Sequence, residues 1–201
     1  MEYMTVENNR RERAIHAACE VFARYGYRKS SMNDIAQTAN LSKSVLFKYF
    51  DTKENLYRTV FRAASDEILA ADSAAREKSA AEEDIFSIMR RATDERMRLF
   101  TKSPWVYSFS YAAAFDGDPF VQNLVQEELK ERNDKTSKLP EYRGIRKDIP
   151  IEAAKKLIFW VSQGFLEERR RSGIPAPETL KEEFLEWIER LEKLLKEERK
   201  V

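Results

Sequence analysis

The sequence predicts an all-α protein with a small three-helix unit at its N-terminus and a larger helical bundle after it. Apolar residues recur at helical spacing along almost the whole chain. Strand signals are nearly absent, since the 201 residues contain five glycines, few β-branched clusters and no alternating runs. An apolar share of 42% is enough for a core, and 35% charged residues can cover the outer helix faces.

The first predicted helix covers about residues 8–25. Its apolar stripe, formed by Ile15, Ala18, Cys19 and Phe22, should pack on the two helices that follow. Gly26 is a favourable residue for ending it. Cys19, the one cysteine, cannot form an intrachain disulfide and is interpreted as a core residue, the alternative being a redox-sensing thiol.

Two short helices separated by a turn are predicted within residues 31–53, SMNDIAQTANLSKSVLFKYFDTK. Ile35 and Ala39 lie on one face of the first, and Leu46 and Phe50 lie four residues apart on one face of the second.

Polar residues at the ends of these helices support the same interpretation. Ser31 and Ser42 each stand where a hydroxyl can accept the unpaired N–H groups of a helix start, and Asp34 follows Ser31 by three residues. Asn40 tolerates the left-handed backbone of a turn. The pattern predicts a helix-turn-helix, a motif whose second helix enters the DNA major groove. The alternative is a small exposed helix whose lysines are merely solvated.

The run from Gly26 to Tyr57, GYRKSSMNDIAQTANLSKSVLFKYFDTKENLY, resembles the DNA-binding domain of the tetracycline-repressor (TetR) family of transcriptional regulators. The resemblance covers roughly the first 60 residues. The matching pieces are Gly26-Tyr27, Ser30-Ser31, Asp34-Ile35-Ala36, Ala39, Leu41-Ser42-Lys43, Leu46, Tyr49-Phe50 and Lys53-Glu54-Asn55-Leu56.

The resemblance implies a helix-turn-helix DNA-binding domain at residues 1–55 and a helical effector-binding and dimerisation domain at residues 56–201. It also implies which side chains meet double-stranded DNA. The positions that contact mostly phosphates are Ser31, Ser42, Lys43, Lys48, Tyr49 and Lys53, and those that face bases are Ser44, Val45 and Phe47. The family often has glycine at positions 40 and 44 and tyrosine at 47, so the operator sequence can differ here.

The remaining chain is predicted as six further helices. A fourth begins after the Asp51/Thr52 cap and ends near residues 72–82, and a fifth covers 83–101. Ser103 and Pro104 should cap the sixth, which is apolar almost all round and therefore buried. Asp118-Pro119 opens the seventh. The predicted ranges of the rest are 104–115 for the sixth helix, 133–149 for a loop, and 150–172 and 177–199 for the last two helices.

Aromatic and methionine side chains are abundant in the middle and later helices. They either fill the core or line a cavity for a small, largely apolar effector, and the family resemblance favours the cavity. The candidate ligand-binding residues are Met89, Met97, Trp105, Phe109, Tyr111, Phe120, Phe159 and Gln163.

The last two helices have broad apolar faces that could complete a monomer core or meet a second copy in a four-helix interface. The resemblance implies the homodimer. The candidate interface residues are Leu157, Val161, Gly164, Phe184, Trp187, Ile188 and Leu191.

Net charge, the lack of long apolar segments and the lack of catalytic motifs limit the classes of function that the sequence can have. The net charge is +1, and residues 1–55 carry nine Lys/Arg against seven Asp/Glu, so DNA affinity must depend on where the cations lie. No signal peptide or apolar segment of about 20 residues is present, which predicts a cytoplasmic protein without membrane association. No catalytic, metal-ligand or phosphate-loop motif appears and His16 is the one histidine, so no enzyme, metal or cofactor is expected.

The sequence thus predicts a ligand-responsive transcriptional regulator, a repressor that binds a palindromic operator as a homodimer. The alternative is a helical protein-interaction module without specific DNA binding.

Overall fold

The computed structural model describes residues 2–77, 84–136, 143–172 and 176–196. Nine α-helices account for nearly all of these described residues. They are α1 (Glu2–Lys29), α2 (Met32–Ala39), α3 (Lys43–Phe50), α4 (Lys53–Glu77), α5 (Ile85–Lys102), α6 (Pro104–Ala114), α7 (Pro119–Thr136), α8 (Ile151–Ser172) and α9 (Pro177–Leu195). The only β pairing in the described ranges is an isolated bridge between Ile145 and Lys196. The all-α prediction is confirmed.

Several predicted helix ends need correction. The first helix begins at Glu2 rather than near residue 8. Its helical backbone breaks at Gly26, as predicted, and a short helical stretch follows up to Lys29. Pro104 lies at the first turn of α6 as predicted, but the Ser103 side chain makes no capping hydrogen bond. The helix α7 continues to Thr136, into the predicted loop. The rest of that loop up to residue 142, and the predicted extension of the last helix over 197–199, lie outside the described residues.

The chain forms two compact units. The first contains Met1–Ile68 and Ser103–Asn133, and the second contains Leu69–Lys102 and Asp134–Val201. The helices α6 and α7 therefore pack with the N-terminal helices, because α6 lies against α1. Each compact unit contains two separate segments of the chain, whereas the sequence analysis divided the chain once, at residue 55. The helix α4 contributes residues 53–68 to the first unit and 69–77 to the second.

The core of the first unit is built around a cluster of aromatic rings. Tyr57 is its centre, with ring centroids 4.8 Å from Phe22, 5.1 Å from Tyr27, 5.3 Å from Phe109 and 5.9 Å from Phe120. Edge-on and tilted aromatic pairs at these distances add to the free energy of burial. This cluster joins side chains from α1, α4, α6 and α7.

Cys19 is buried beside this cluster, and its thiol donates a hydrogen bond to the carbonyl of Trp105 at 3.3 Å. Burial, with a smaller contribution from Glu20, raises the pKa of the thiol to about 12. Because a thiolate is the reactive form, a neutral thiol at this site is expected to be unreactive. The geometry agrees with the core interpretation of Cys19.

A sharp backbone turn at Gly26 ties α1 to the segment after α6. Gly26 has φ 72° and ψ 171°, a conformation that side-chain-bearing residues rarely adopt. The turn points the N–H of Tyr27 at Asp116, whose Oδ2 accepts it at 2.8 Å. The other carboxylate oxygen of Asp116 accepts the N–H of Asp118 at 2.9 Å. The carboxylate of Asp116 thus forms hydrogen bonds with the end of α1, at Tyr27, and with the segment between α6 and α7, at Asp118.

The second unit has its own apolar core, formed mainly by α5, α8 and α9. Its buried members are Phe86, Ile145, Ala154, Ile188, Leu191 and Leu195. At its edge, Arg96 on α5 makes a two-pronged ion pair with Asp72 on α4, with N–O distances of 2.6 and 2.7 Å. None of the described helices combines the length and apolarity required to cross a bilayer.

The Gly26 turn generates a stability prediction. The substitution Gly26→Ala should lower the free energy of unfolding by about 1–3 kcal/mol, because alanine is strained at this φ and ψ. Its Cβ would also meet Asp116 Oδ2 at 3.2 Å. Chemical denaturation measures the change. The matched control is Gly117→Ala, whose Cβ meets no heavy atom within 4 Å. Equal effects of the two substitutions would contradict this account of the turn.

Candidate DNA-binding site

The helix α2 is capped at its start by its own side chains. Ser31 Oγ accepts the N–H of Asp34 at 3.2 Å, and Asp34 Oδ2 accepts the N–H of Ser31 at 3.2 Å, which is the reciprocal capping box expected from their spacing. Ser31 Oγ also donates to Asp34 Oδ2 at 2.6 Å. The hydroxyl of Ser31 is therefore engaged in the cap.

The turn between α2 and α3 is held by a residue that sequence reasoning missed. Asn40 adopts the predicted left-handed conformation, with φ 52° and ψ 49°. The guanidinium of Arg13, on α1, donates to the carbonyls of Ala39 and Asn40 at 2.8 and 2.9 Å. These partners are 26 and 27 residues apart in sequence, so no local pattern indicates the contact. Arg13 satisfies carbonyls at the end of α2, where the helix itself has no donor to offer.

The helix α3 has one buried face and one exposed face. Leu46 and Phe50 are buried against the rest of the first unit. Ser42 caps the helix, with its Oγ accepting the N–H of Val45 at 3.4 Å and lying 2.9 Å from the hydroxyl of Ser44. The exposed predicted DNA-binding residues are Ser42, Lys43, Ser44, Phe47 and Lys48, and the half-buried ones are Val45 and Tyr49.

Two lysines on α3 each lie near an aromatic ring. The Nζ of Lys43 is 5.8 Å from the centroid of the Phe47 ring, and the Nζ of Lys48 is 5.9 Å from that of Tyr49. Contacts at exposed sites of this kind are weak, about 0.5–1 kcal/mol. They keep both ammonium groups close to the surface of α3.

Lys53 differs from the other predicted DNA-binding lysines because its ammonium group bonds within the protein. Its Nζ donates to the carbonyls of Tyr27 and Ser30 at 3.0 and 3.1 Å and lies 4.3 Å from the centroid of the Tyr27 ring. The ring belongs to a neutral phenol, since burial, followed by the charges of Glu54 and Asp118, raises the pKa of Tyr27 to about 12. Lys53 thus fastens the start of α4 to the end of α1.

The eight candidate ligand-binding residues do not form one cluster inside either unit. Phe109 lines a cleft of about 110 Å³ within the first unit, between α4, α6 and α7. Tyr111 is buried, Phe120 packs on Tyr27 and Tyr57, and Trp105 makes an edge-on contact with His16 at 5.5 Å. The other residues that line the cleft are Phe61, Ala64, Ser65, Ile68, Ser110, Ala113, Ala114, Val125 and Glu128.

The other four candidates belong to the second unit. Met89 packs against the core that includes Phe86, and Met97 borders a surface groove between α5 and α9. Phe159 and Gln163 are exposed on α8. The aromatic-rich pattern did not separate these environments. Ala64 and Ile68 lie four residues apart, a helical spacing from which the α4 wall of the cleft could have been predicted.

Most of the candidate dimer residues pack within the second unit. Ile188 and Leu191 are 0% and 2% exposed in the core, which makes them a correction to the predicted interface. Leu157, Val161 and Phe184 are partly buried against that same core. Gly164 is exposed with open space around it, and Trp187 is half-buried under the guanidinium of Arg190. The most exposed large apolar side chains of α8 and α9 are Trp160 at 64% and Leu194 at 62%, and neither is among the predicted interface residues.

The arrangement of α1, α2 and α3 defines a helix-turn-helix protein, with α3 as the recognition helix. Residues 14–60 match the family described as "Bacterial regulatory proteins, tetR family". The N-terminal region of the chain, over residues 14–60, belongs to this family of transcriptional regulators.

The chain is also similar in sequence to a characterised regulator. The HTH-type transcriptional activator FasR of Mycolicibacterium smegmatis is 28% identical over 129 residues, which cover 61% of this chain and 53% of FasR. The chain therefore spans about half the length of that curated relative.

Solved structures share the fold over nearly the whole chain. A TetR family transcription regulator from Marinobacter aquaeolei is 17% identical with a TM-score of 0.63, covering 96% of this chain and 99% of that one. The ketosteroid transcriptional regulator KstR2 of Mycobacterium tuberculosis is 16% identical with a TM-score of 0.66, covering 94% and 96%.

The Arg13 contact generates a prediction about the helix-turn-helix. The substitution Arg13→Ala should lower the free energy of unfolding by about 1–2 kcal/mol, because two backbone carbonyls lose a charged donor. The N–H of Leu41, which donates to the carbonyl of Ala36 at 2.9 Å in the same turn, should also exchange with solvent faster. Denaturation and hydrogen exchange provide the two measurements.

The control for Arg13 is Arg24→Ala on the same helix. Arg24 makes an exposed pair with Glu20 one turn away, and its loss should cost no more than about 0.5 kcal/mol. If Arg13→Ala left both stability and Leu41 exchange at the control level, Arg13 would not restrain the turn.

Proposed function

We propose that this chain is a ligand-responsive repressor that acts in the cytoplasm, binds a palindromic operator as a homodimer and is released by a small, largely apolar effector. The observation that carries the proposal is the division of α3 into a buried face and an exposed face. Leu46 and Phe50 anchor the helix, while Lys43, Ser44 and Lys48 remain exposed to a partner.

The exposed face of α3 has the chemistry of a groove-binding surface. Lysine ammonium groups and serine hydroxyls bind phosphate oxygens, and the N–H groups at a helix start also favour an anion. The local charge balance is small, at nine cations against seven anions in residues 1–55. Affinity would therefore come from the placement of Lys43 and Lys48 beside the groove rather than from a general positive field.

The exposed apolar side chains of α8 and α9 support the homodimer. Phe159, Trp160 and Leu194 expose apolar surface, although each helix also has a face packed in its own core. Burial of such side chains against a second copy would remove them from water. A twofold dimer would place its two recognition helices in successive major grooves, roughly 34–36 Å apart on a palindrome.

The cleft between α4, α6 and α7 is the proposed effector site. Its walls are mostly apolar, and Ser65 and Ser110 add hydroxyl groups. At about 110 Å³ it is smaller than the roughly 300–1,000 Å³ of typical small-molecule sites. An effector of that size would have to separate the surrounding helices. KstR2, a relative in fold, is named a ketosteroid transcriptional regulator, and an effector of comparable apolar character would suit these walls.

Displacement of α6 would reach the DNA-binding helices through Asp116, which follows α6 and bonds the N–H of Tyr27. We also propose that α4 tilts, since it begins beside α3 and lines the cleft. An effector can release DNA only as far as it prefers the non-binding conformer. FasR is named an activator, but occlusion of a promoter is the simplest consequence of operator binding, and repression is our proposal.

The decisive experiment is selection of bound duplexes from a random pool, followed by salt titration of the recovered sequence. Binding should weaken steeply with salt, because phosphate contacts release counterions. The substitution Lys48→Ala removes two cations from a dimer–duplex complex and should reduce the slope of log K against log salt by about 2.

The matched control is Lys147→Ala, an exposed lysine of the second unit. It should leave both affinity and slope unchanged. Recovery of a palindrome would support the dimer, whereas binding that ignores salt and Lys48 alike would support the helical interaction module instead.

The dimer surface generates a separate prediction. The substitution Trp160→Glu should weaken self-association roughly 30-fold or more, because a charge would replace a large apolar anchor. Sedimentation velocity across a concentration series measures the shift from dimer to monomer. The control Tyr25→Glu changes an exposed aromatic of the first unit and should leave the dimer intact. Equal association of both variants would contradict a Trp160-centred interface.

A further inference from the structure

A surface groove of about 310 Å³ lies between α1 and α2. Val21 is buried in it at 4% exposure, whereas Tyr25 at its edge is 51% exposed, more than any other large apolar side chain described in the first unit. The residues that line the groove lie between Glu20 and Thr38, and none of them is among the predicted DNA-binding residues. The proposed contacts with a duplex therefore leave this groove without an assigned partner.

The groove carries both signs of charge. Arg24 and Lys29 supply two cations, Glu20 and Asp34 supply two carboxylates, and all four residues are exposed. The Nη2 of Arg24 lies 3.0 Å from the Oε1 of Glu20, with the two side chains 62% and 56% exposed. An ion pair this exposed is weak, so both of its charges can turn towards a partner.

This balance of charge limits the kind of partner that fits. The phosphates of a duplex would meet two carboxylates beside the two cations, which gives no net electrostatic attraction. A surface of mixed sign suits a partner that also presents both signs, and a second copy of the same groove does so. In a twofold contact, one residue meets another across the axis and the reverse contact forms as well, so each carboxylate can face a cation.

Tyr25 and Arg24 give the groove the residue types that most often anchor protein–protein contacts. The guanidinium carbon of Arg24 lies 6.0 Å from the centroid of the Tyr25 ring, so the two side chains form one projecting group. The ring supplies apolar area, and the phenolic hydroxyl at its tip can keep a polar partner.

We propose that this groove docks against the same groove of a second dimer on neighbouring DNA, so that two dimers bind cooperatively. The proposal rests on the proposed function, since DNA has to bring the dimers side by side. Eight residues line the groove, against roughly 20–30 residues a side in a stable interface, so the contact is too small to join dimers in free solution. On one duplex the effective concentration of the neighbouring dimer is high, and a weak contact then contributes.

The test compares duplexes that carry one or two copies of the operator recovered by selection. The spacing between the two operator centres is varied in single base pairs over one helical turn, because the grooves can meet only when both dimers lie at compatible positions around the helix. At the best spacing, the first dimer should raise the affinity for the second on the order of ten-fold. Gel-shift titration resolves the singly and doubly occupied duplexes.

Two variants change the charge of the groove in opposite directions. The double substitution Arg24→Glu with Lys29→Glu makes it acidic, and Glu20→Arg makes it basic apart from Asp34, which is kept because it caps α2. Each variant should lose the cooperativity, because like charges would then face each other. A mixture of the two preformed dimers should recover it. Tyr25→Ala should lower the cooperativity while every charge remains in place.

The matched control is Lys130→Glu, which reverses an exposed lysine on α7 in the same unit and should keep the full cooperativity. Circular dichroism verifies that each variant is folded. Cooperativity that is lost in the acidic and basic variants and returns in their mixture would support the proposal.

The other outcomes separate this inference from the proposed function. If two operators are filled independently at every spacing, or if all variants keep the same cooperativity, the inference fails and the proposed function stands. The inference also fails if the charge variants weaken binding to a single operator as strongly as to two, because the groove would then act within one dimer or on its own DNA. If no duplex is selected, the proposed function fails and this inference fails with it.

Discussion

The junction around Tyr27 is the constraint on which the DNA-binding face depends. Gly26 turns the backbone so that the Tyr27 N–H reaches Asp116, and Lys53 bonds the Tyr27 carbonyl from the other side. The Tyr27 ring meanwhile packs on Tyr57. One residue therefore joins the end of α1, the start of α4 and the segment after α6. The helices α2 and α3 lie between two of these attachments in sequence, so the junction restrains both ends of the helix-turn-helix.

The helix-turn-helix uses some of its polar groups to hold its own shape and leaves others for a partner. Three side chains form hydrogen bonds with backbone groups of the motif or its ends. Ser31 caps the start of α2, Arg13 donates to a carbonyl of the turn, and Lys53 donates to the carbonyl of Ser30. Lys43 and Ser44 remain exposed on α3. The local charge of residues 1–55 is only +2, so the proposed affinity for DNA depends on the position of exposed cations such as Lys43.

The apolar residues of the last two helices illustrate the limit of pattern analysis. Helical spacing identified broad apolar faces on both helices, but Ile188 and Leu191 complete the core of their own unit, while Trp160 and Leu194 remain exposed. Both sets are apolar at helical spacing, and burial within a monomer or between monomers requires the same chemistry. The distinction depends on which neighbour reaches each face, and periodicity within one helix contains no information about neighbours.

The sequence by itself determined the elements whose causes are local. The helix-turn-helix follows from caps, the left-handed Asn40 and apolar residues three or four apart, all of which act within a few residues. Tertiary structure alone decided the contacts between distant residues, such as Arg13 with the turn, Asp116 with Tyr27 and the cleft beside Phe109. Such contacts depend on how whole helices pack, because ridges and grooves from separate segments must fit together before two side chains can meet.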